Sequence, residues 1–300
     1  MVRPGEAVFD PDQERRSIAS RIGWDDSIGL AAPPYFRWKG MIDRLLAAIL
    51  LVPGLPAIVL LILLVRLTSR GPGIFRQSRV GKGNRLFTLY KIRTMRIDAE
   101  ADTGPTWSQP HDDRVTRVGR LLRRFHLDEL PQLINVLKGN MSLVGPRPER
   151  PEFIRVLAEM IPGYCDRLAV RPGITGLAQL NLPPDSDVSS VRRKLFLDLE
   201  YVRQAGLVLD LRILLCTFAR FLKLPVLKIL GLCRTVPRFH AEEAGQPGKV
   251  ASGNGNGKAT LDHVVRQLAL RGKDSPLAWG GNGNGNGDHA SEFKPHPKPR

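Results

Sequence analysis

Leu45-Leu-Ala-Ala-Ile-Leu-Leu-Val-Pro53-Gly54-Leu55-Pro56-Ala-Ile-Val-Leu-Leu-Ile-Leu-Leu-Val65 is a run of 21 residues without a single charge. That is about what a helix needs to cross the roughly 30 Å hydrocarbon core of a bilayer. Two features argue against a simple crossing. Pro53 and Pro56 stand in the middle, where each removes a backbone donor and crowds the preceding turn. Cations flank both ends, Lys39 and Arg44 before the run and Arg66 and Arg70 after it, so the positive-inside bias gives a spanning helix no orientation. A helix that enters, breaks at Pro53-Gly54-Leu55-Pro56 and returns keeps both basic ends on one face, and the carbonyls freed at the break then need partners. Residues 35–70 are read as such a re-entrant anchor.

Outward from this run the chain changes character. Residues 1–34 are polar and read as a flexible segment without a signal-peptide pattern. Residues 241–300 carry Gly-Asn repeats (Gly253 to Gly257, Gly280 to Gly287) and a Lys-Pro-rich end, with too little apolar surface to offset ordering. Within that tail, Leu261, Val264, Val265 and Leu268 fall at helical spacing, a face suited to docking a protein partner. The ordered, catalytic part is expected at 71–240. Across the 300 residues, 45 Lys and Arg against 29 Asp and Glu give a net charge of +16, which calls for an anionic partner: nucleic acid, an acidic membrane or a phosphorylated substrate. Cys165, Cys216 and Cys233 lie far apart with no CxxC pair, which speaks against a zinc site or a disulfide framework and for a reducing compartment.

After the apolar run, Phe75 to Met95 reads as two strands around Gly81-Lys82-Gly83-Asn84, a hairpin signal. The same GKGN is not a P-loop, because GxxxxGK[ST] is absent. Lys91 and Arg93 alternate with Tyr90 and Ile92 and so share a strand face. A short basic helix follows at Arg120 to His126, and then Leu127-Asp128-Glu129-Leu130-Pro131-Gln132-Leu133-Ile134-Asn135-Val136-Leu137-Lys138-Gly139. Asp128 is placed to cap this helix, Pro131 suits its first turn, Gly139 its end, and Leu130, Leu133, Ile134 and Leu137 form an apolar stripe. An Asp-Glu pair at a helix start commonly serves only to stabilise the helix. The functional reading is a phosphate site: a helix N-terminus with Arg123 and Arg124 nearby, one carboxylate acting as nucleophile and its neighbour holding Mg²⁺.

Further on, Ser142-Leu-Val-Gly-Pro146-Arg147-Pro148-Glu149 fixes an arginine between two prolines, a stiff mount for binding phosphate or carboxylate, or else a rigid surface turn. Arg171-Pro172-Gly173-Ile174-Thr175-Gly176 is a second turn led by a cation. Lys194 to Ala205 reads as a helix carrying Asp198 and Tyr201. Leu211 to Cys233 reads as one or two interfacial helices whose cations reach lipid phosphates, with a buried core helix as the rival. The fold expected is α+β and mostly helical, with a small β-hairpin.

Taken in order, the Pro-broken apolar run, FRQSRVGKGNRLFTLYKIRTM, DDRVTRVGRLLRRFHLDELPQLINVLKGNMSLVGPRP, RPGITGLAQLN and LDLEYVRQAGLVLDLRIL resemble the bacterial sugar transferases, monotopic transferases of hexose-1-phosphate to polyprenyl phosphate. The likeness runs from near Phe36 to near Leu222. It implies a re-entrant membrane helix broken at Pro56, with Leu55 where the family usually has Ser. It implies a Mg²⁺-dependent two-step reaction between a UDP-sugar and polyprenyl phosphate, through a phosphosugar on an Asp. Asp128 and Glu129 match the catalytic pair, Glu129 being the metal ligand. Arg123 and Arg147 match arginines that handle phosphate or nucleotide, and Lys91, Arg93 and Arg171 join them as candidate substrate ligands. The implied setting is the cytoplasmic face of a bacterial inner membrane, at the first membrane step of exopolysaccharide, capsule or O-antigen type assembly. Within that setting the tail would dock a glycan-assembly partner. Two other classes compete. A basic nucleic-acid-binding protein is disfavoured by the uncharged run, the lack of a recognised motif and 6% aromatic residues. A non-catalytic membrane scaffold is disfavoured by the presence of both Asp128 and Glu129.

Overall fold

The computed structural model of the chain describes residues 30–100, 112–185 and 188–222. Nearly all of the N-terminal segment, the Gly-Asn tail, the Leu261 to Leu270 stretch and the part of the interfacial segment beyond 222 lie outside these.

The apolar run forms most of helix α1, Tyr35–Thr68. Pro53 and Pro56 lie inside it, and helical backbone continues through the Pro-Gly-Leu-Pro stretch where a break is expected. The helix is held by one stripe, Lys39, Asp43, Ala47, Gly54, Ile58 and Val65, whose spacings of four and seven residues bring them to one side. At Gly54 the Leu133 side chain stands directly opposite. The other side stays apolar and uncovered: Leu45, Ile49, Val52, Leu60 and Leu67 are all more than half exposed.

Both ends of α1 are tied to the same body. At the start, buried Lys39 donates to Asp43 Oδ1 (3.1 Å) and to Asp210 Oδ2 (2.6 Å), and the Tyr35 hydroxyl donates to the same Asp210 oxygen (2.7 Å). At the finish, Arg93 Nη2 donates to Ser69 O (2.9 Å) and Oγ (2.8 Å), and Nη1 to Arg70 O, satisfying carbonyls just past the end of the helix.

The expected hairpin is present. Strands β1 (Ile74–Val80) and β2 (Leu86–Ile92) pair antiparallel from Ile74 opposite Ile92 to Val80 opposite Leu86. A 3₁₀ turn, Lys82–Asn84, joins them, with Gly83 and Asn84 in left-handed backbone, the conformation that Gly-Asn accepts at least cost. Helices α2 (Arg117–Arg124) and α3 (Gln132–Leu137) follow, separated by a 3₁₀ turn, Leu127–Glu129. A second sheet pairs β3 (Ser142–Val144) with β4 (Gly173–Thr175) in parallel, with α4 (Pro151–Met160) and a 3₁₀ stretch, Tyr164–Ala169, between them in the chain. Then come α5 (Leu177–Asn181), α6 (Val188–Gln204) and α7 (Leu207–Phe221).

The result is mostly helical with two small sheets. The main core joins α1, α3, β3, α6 and α7 through Ala47, Leu133, Val144, Tyr201 and Ile213, and a second core gathers α4 and α6. On α7, Asp210, Ile213, Cys216 and Ala219 face inward, whereas Val208, Leu211, Leu215 and Phe218 face out beside Arg212 and Arg220. An outward apolar face on α7, together with that of α1, is far more apolar surface than a soluble protein usually leaves uncovered.

Candidate active site

The site grows from the link between α2 and α3. Thr116 caps α2, its Oγ1 accepting from Gly119 N at 2.9 Å. After Phe125 the chain turns through His126, which adopts left-handed backbone at φ +48°, uncommon for a residue with a side chain. Pro131 has no N–H to offer, so the chain closes tight three-residue bonds instead, Glu129 N to His126 O (3.2 Å) and Leu130 N to Leu127 O (3.4 Å). This corrects the expected cap. Asp128 sits within the 3₁₀ turn, makes no capping bond, and α3 begins only at Gln132. The apolar stripe also shifts: Leu133 and Val136 are buried with Gln132 and Asn135, while Leu137 is exposed.

Asn135 sets the distance between this turn and the hairpin. It is fully buried, accepts from Tyr90 N (3.1 Å) and donates to Thr88 O (2.7 Å), so its amide satisfies the outer edge of β2 as another strand would. Lys91, the next residue on β2, is thereby brought to Glu129, with Nζ 2.9 Å from Oε1. Arg147 reaches the same oxygen from the Pro-Arg-Pro segment, Nη2 at 3.3 Å. The flanking Pro146 and Pro148 are buried, while the Arg147 side chain is 41% exposed and faces the open side of the site. Glu129 Oε2 accepts no hydrogen bond among the described residues.

The neighbouring carboxyls are driven apart. Burial works against ionisation of Glu129, but Lys91 and Arg147 overcome it and bring the carboxyl down to about 2. Asp128 is 7% exposed, and among the described residues its carboxylate accepts no hydrogen bond. Burial pushes it up, Lys91, Arg123 and His126 offset part of that, and Glu129 adds to it. Burial likewise pulls the Lys91 ammonium down, with Glu129 opposing. Two adjacent acids in opposite electrostatic settings are the pattern expected where one serves as reactant and the other as fixed charge.

The remaining predicted ligands separate. Arg123 lies beside the site, its Nε donating to Thr94 Oγ1 at 2.9 Å and its charge acting on Asp128. Arg93 turns the other way and closes the end of α1, which makes it a structural cation. Arg171 lies over Gly40 near the start of α1, where a Cβ on Gly40 would meet its guanidinium at 2.2 Å. Reading the sequence missed Asn135, although a lone Asn between Leu133 and Val136 on a buried helix face is a signal that it must satisfy backbone.

The family model for bacterial sugar transferases matches residues 35–224, nearly two thirds of the chain. The chain belongs to the bacterial sugar transferase family. Among similar members, a UDP-N-acetylgalactosamine-undecaprenyl-phosphate N-acetylgalactosaminephosphotransferase of Aeromonas hydrophila is 42% identical over 194 residues, 64% of this chain and 45% of that one. A UDP-glucose:undecaprenyl-phosphate glucose-1-phosphate transferase of Caulobacter vibrioides is 42% identical over 183 residues, 60% of this chain and 67% of its own. An exopolysaccharide production protein of Rhizobium leguminosarum bv. phaseoli is 40% identical over 167 residues, 54% and 84% of the two chains. The match therefore spans less than half of the Aeromonas protein.

For a sugar transferase of this family the acid pair has a measurable signature. Glu129 is held at about 2, below its ordinary 4.5, so its contribution is complete above about pH 4.5 and is lost as the pH falls toward 2. That contribution is on the order of 3 kcal/mol at neutral pH. Asp128 is shifted the other way, so its ionisation costs stability as the pH rises above the ordinary 3.8. In denaturant unfolding of the detergent-solubilised chain, Glu129→Gln should lower stability at pH 7, by less near pH 3, with the deficit fading as the pH approaches 2, whereas Asp128→Asn should raise stability at pH 7. Shifts of the same sign for both variants at pH 7 would contradict this electrostatic assignment.

Proposed function

We propose that this chain transfers a sugar-1-phosphate from a UDP-sugar to undecaprenyl phosphate, releasing UMP, at the cytoplasmic face of a bacterial inner membrane. The reading is supported by the names of its relatives and carried by the contrast between Asp128 and Glu129. Among the described residues, no hydrogen bond occupies the Asp128 carboxylate, which leaves its lone pairs available as a nucleophile needs. Glu129 is committed to two cations and stays ionised.

In the first step an Asp128 oxygen attacks the phosphorus that bears the sugar. The bond from that phosphorus to the bridging oxygen breaks, and UMP departs with the oxygen and its electron pair. In the second step an oxygen of undecaprenyl phosphate attacks the same phosphorus, the bond to Asp128 breaks, and the carboxylate is restored. Both steps bring anions together, so positive charge at the site is essential. Lys91 and Arg147 supply it on one side of the pair and Arg123 on the other.

Among the described residues no group of three or more His, Cys, Asp or Glu side chains is placed to hold a metal. Mg²⁺ needs no such cage, since it commonly binds through one or two carboxylates together with substrate phosphates. Glu129 is the residue that would hold it, through Oε2, which accepts no hydrogen bond among the described residues, and the ion would supply charge neutralisation at the diphosphate. The relatives' names divide between glucose and N-acetylgalactosamine. The product would enter a glycan assembled on the lipid, of exopolysaccharide, capsule or O-antigen type.

The part of the re-entrant reading that is kept, both ends of α1 on one face of the membrane, rests on its attachments. A straight helix of 34 residues is about 51 Å long. Its stripe is packed on the polar domain from Lys39 to Val65, so a perpendicular crossing would drag β2 and α3 into hydrocarbon. With both ends tied to one body, α1 meets the bilayer through its outer apolar face, and α7 lies beside it at the interface.

Two measurements test these readings. Purified chain given a UDP-sugar without lipid acceptor should release UMP once per active site and stop. Asp128→Asn should release none, and Glu129→Gln should lose turnover, in part restored by raised Mg²⁺. Continuous UMP release that requires acceptor from the first turnover would contradict the two-step scheme. For the anchor, cysteines placed at exposed Arg37 and Pro72 should both react with an impermeant maleimide from the cytoplasmic side only; labelling from opposite sides would establish a spanning helix.

A further inference from the structure

The Pro146-Arg147-Pro148-Glu149 segment offers four successive carbonyls, and each is taken by a different donor. Pro146 O accepts from Gly173 N (2.8 Å), and Glu149 O accepts from Val80 N (3.0 Å). The middle two accept from side chains: Arg147 O from Arg167 Nη2 (2.9 Å) and Pro148 O from Arg79 Nη1 (2.9 Å). Neither proline has an N–H, so the segment cannot be held as a strand from its donor side. Its backbone is held through its carbonyls, and the Glu149 side chain adds an ion pair with Lys194 Nζ at 2.6 Å. Where it leaves β3 the fit is closest, since a Cβ on Gly173 would stand 2.1 Å from Gly145 N.

Both arginines are themselves fixed by acids close to the segment, Arg79 by Glu149 Oε2 at 3.9 Å and Arg167 by Asp198. Arg167 is 2% exposed and is fixed by Asp198 Oδ2, at 2.9 Å from Nε and 2.6 Å from Nη2, and by the Tyr164 hydroxyl at 3.2 Å. A buried ion pair of this kind seldom adds net stability over apolar residues. Here it aims one guanidinium nitrogen at one carbonyl. Arg79 is braced by Gln77 and by Glu149, and among the described residues its Nε is buried without a partner, an arrangement that stability alone does not account for.

We infer that Arg79 and Arg167 are positioning residues for the transfer reaction. They fix the backbone on either side of Arg147 so that its guanidinium is presented, already oriented, to Glu129 and to the phosphates of the nucleotide sugar. Presenting the charge from a fixed mount spares the reorganisation that a mobile loop would need in the transition state. The inference rests on Arg147 acting on substrate, as proposed above.

The test is a double-mutant cycle on the full chain in detergent, measuring kcat/KM for UMP release with whichever of UDP-glucose and UDP-N-acetylgalactosamine it turns over. Loss of a charge-assisted contact in Arg147→Gln should lower kcat/KM about a hundredfold. Loss of one guanidinium-to-carbonyl bond in Arg79→Met should lower it about tenfold in the parent and by less than twofold in the Arg147→Gln background. Arg79→Lys, which keeps charge and stem, should recover part of the loss. An equal Arg79→Met loss in both backgrounds, or none in the parent, overturns the inference while leaving Arg147 as a substrate ligand. Parent-like kcat/KM for Arg147→Gln overturns the role of Arg147 and the inference with it. If Arg79→Met melts below the assay temperature, the same cycle and the same criteria apply to Arg79→Lys.

Discussion

One glutamate oxygen holds the site together. Glu129 Oε1 is shared by Lys91 from the hairpin and Arg147 from the Pro-Arg-Pro segment, two residues far apart in sequence. An uncompensated charge would be costly in this half-buried setting, and three compensated ones are stable only while their mounts stay in register. Each mount has its own device. Asn135 docks α3 on β2, the proline at 131 tightens the turn that carries Glu129, and the capped carbonyls hold Arg147. Glu129 takes the direct contacts of Lys91 and Arg147, and its buried neighbour Asp128 has no hydrogen bond among the described residues.

The same domain carries the membrane helix as an attached part. The Lys39–Asp43–Asp210 contacts at one end of α1 and the Arg93 contacts at the other leave its long outer face as the surface offered to lipid. Under the proposed membrane placement of α1, the position of the acid pair relative to the membrane is set through α3, whose Leu133 packs against Gly54 in the middle of α1. An acceptor whose phosphate stays at the interface would meet a site held at constant depth.

Much of this could be read before the fold was known. The apolar run, the GKGN hairpin and the basic helix follow from periodicity and turn chemistry, and the order of motifs pointed to the sugar transferases and, through that resemblance, to the acid pair. What could not be read depends on contacts between distant segments. Arg93 and Lys91 look equivalent on a strand, yet one ends α1 and the other pairs with Glu129, because β2 ends at Ile92. Arg171 stands in as suggestive a turn as Arg147, but it packs over Gly40. Asp128 has a good capping sequence, and local propensity lost to the missing donor of Pro131. Arg79 and Arg167 carry no local sign of their role, since the carbonyls they bind lie about 70 and 20 residues away.

The central claim is that Asp128, and no other group, carries the sugar phosphate between the two substrates. The most direct measurement is peptide mapping by mass spectrometry of chain quenched in acid after reaction with a UDP-sugar in the absence of lipid acceptor. The account predicts a mass increase equal to the transferred sugar phosphate on the peptide containing Asp128, removed when undecaprenyl phosphate is added before the quench. An adduct on a different peptide, or stoichiometric UMP release with no adduct anywhere, would contradict it.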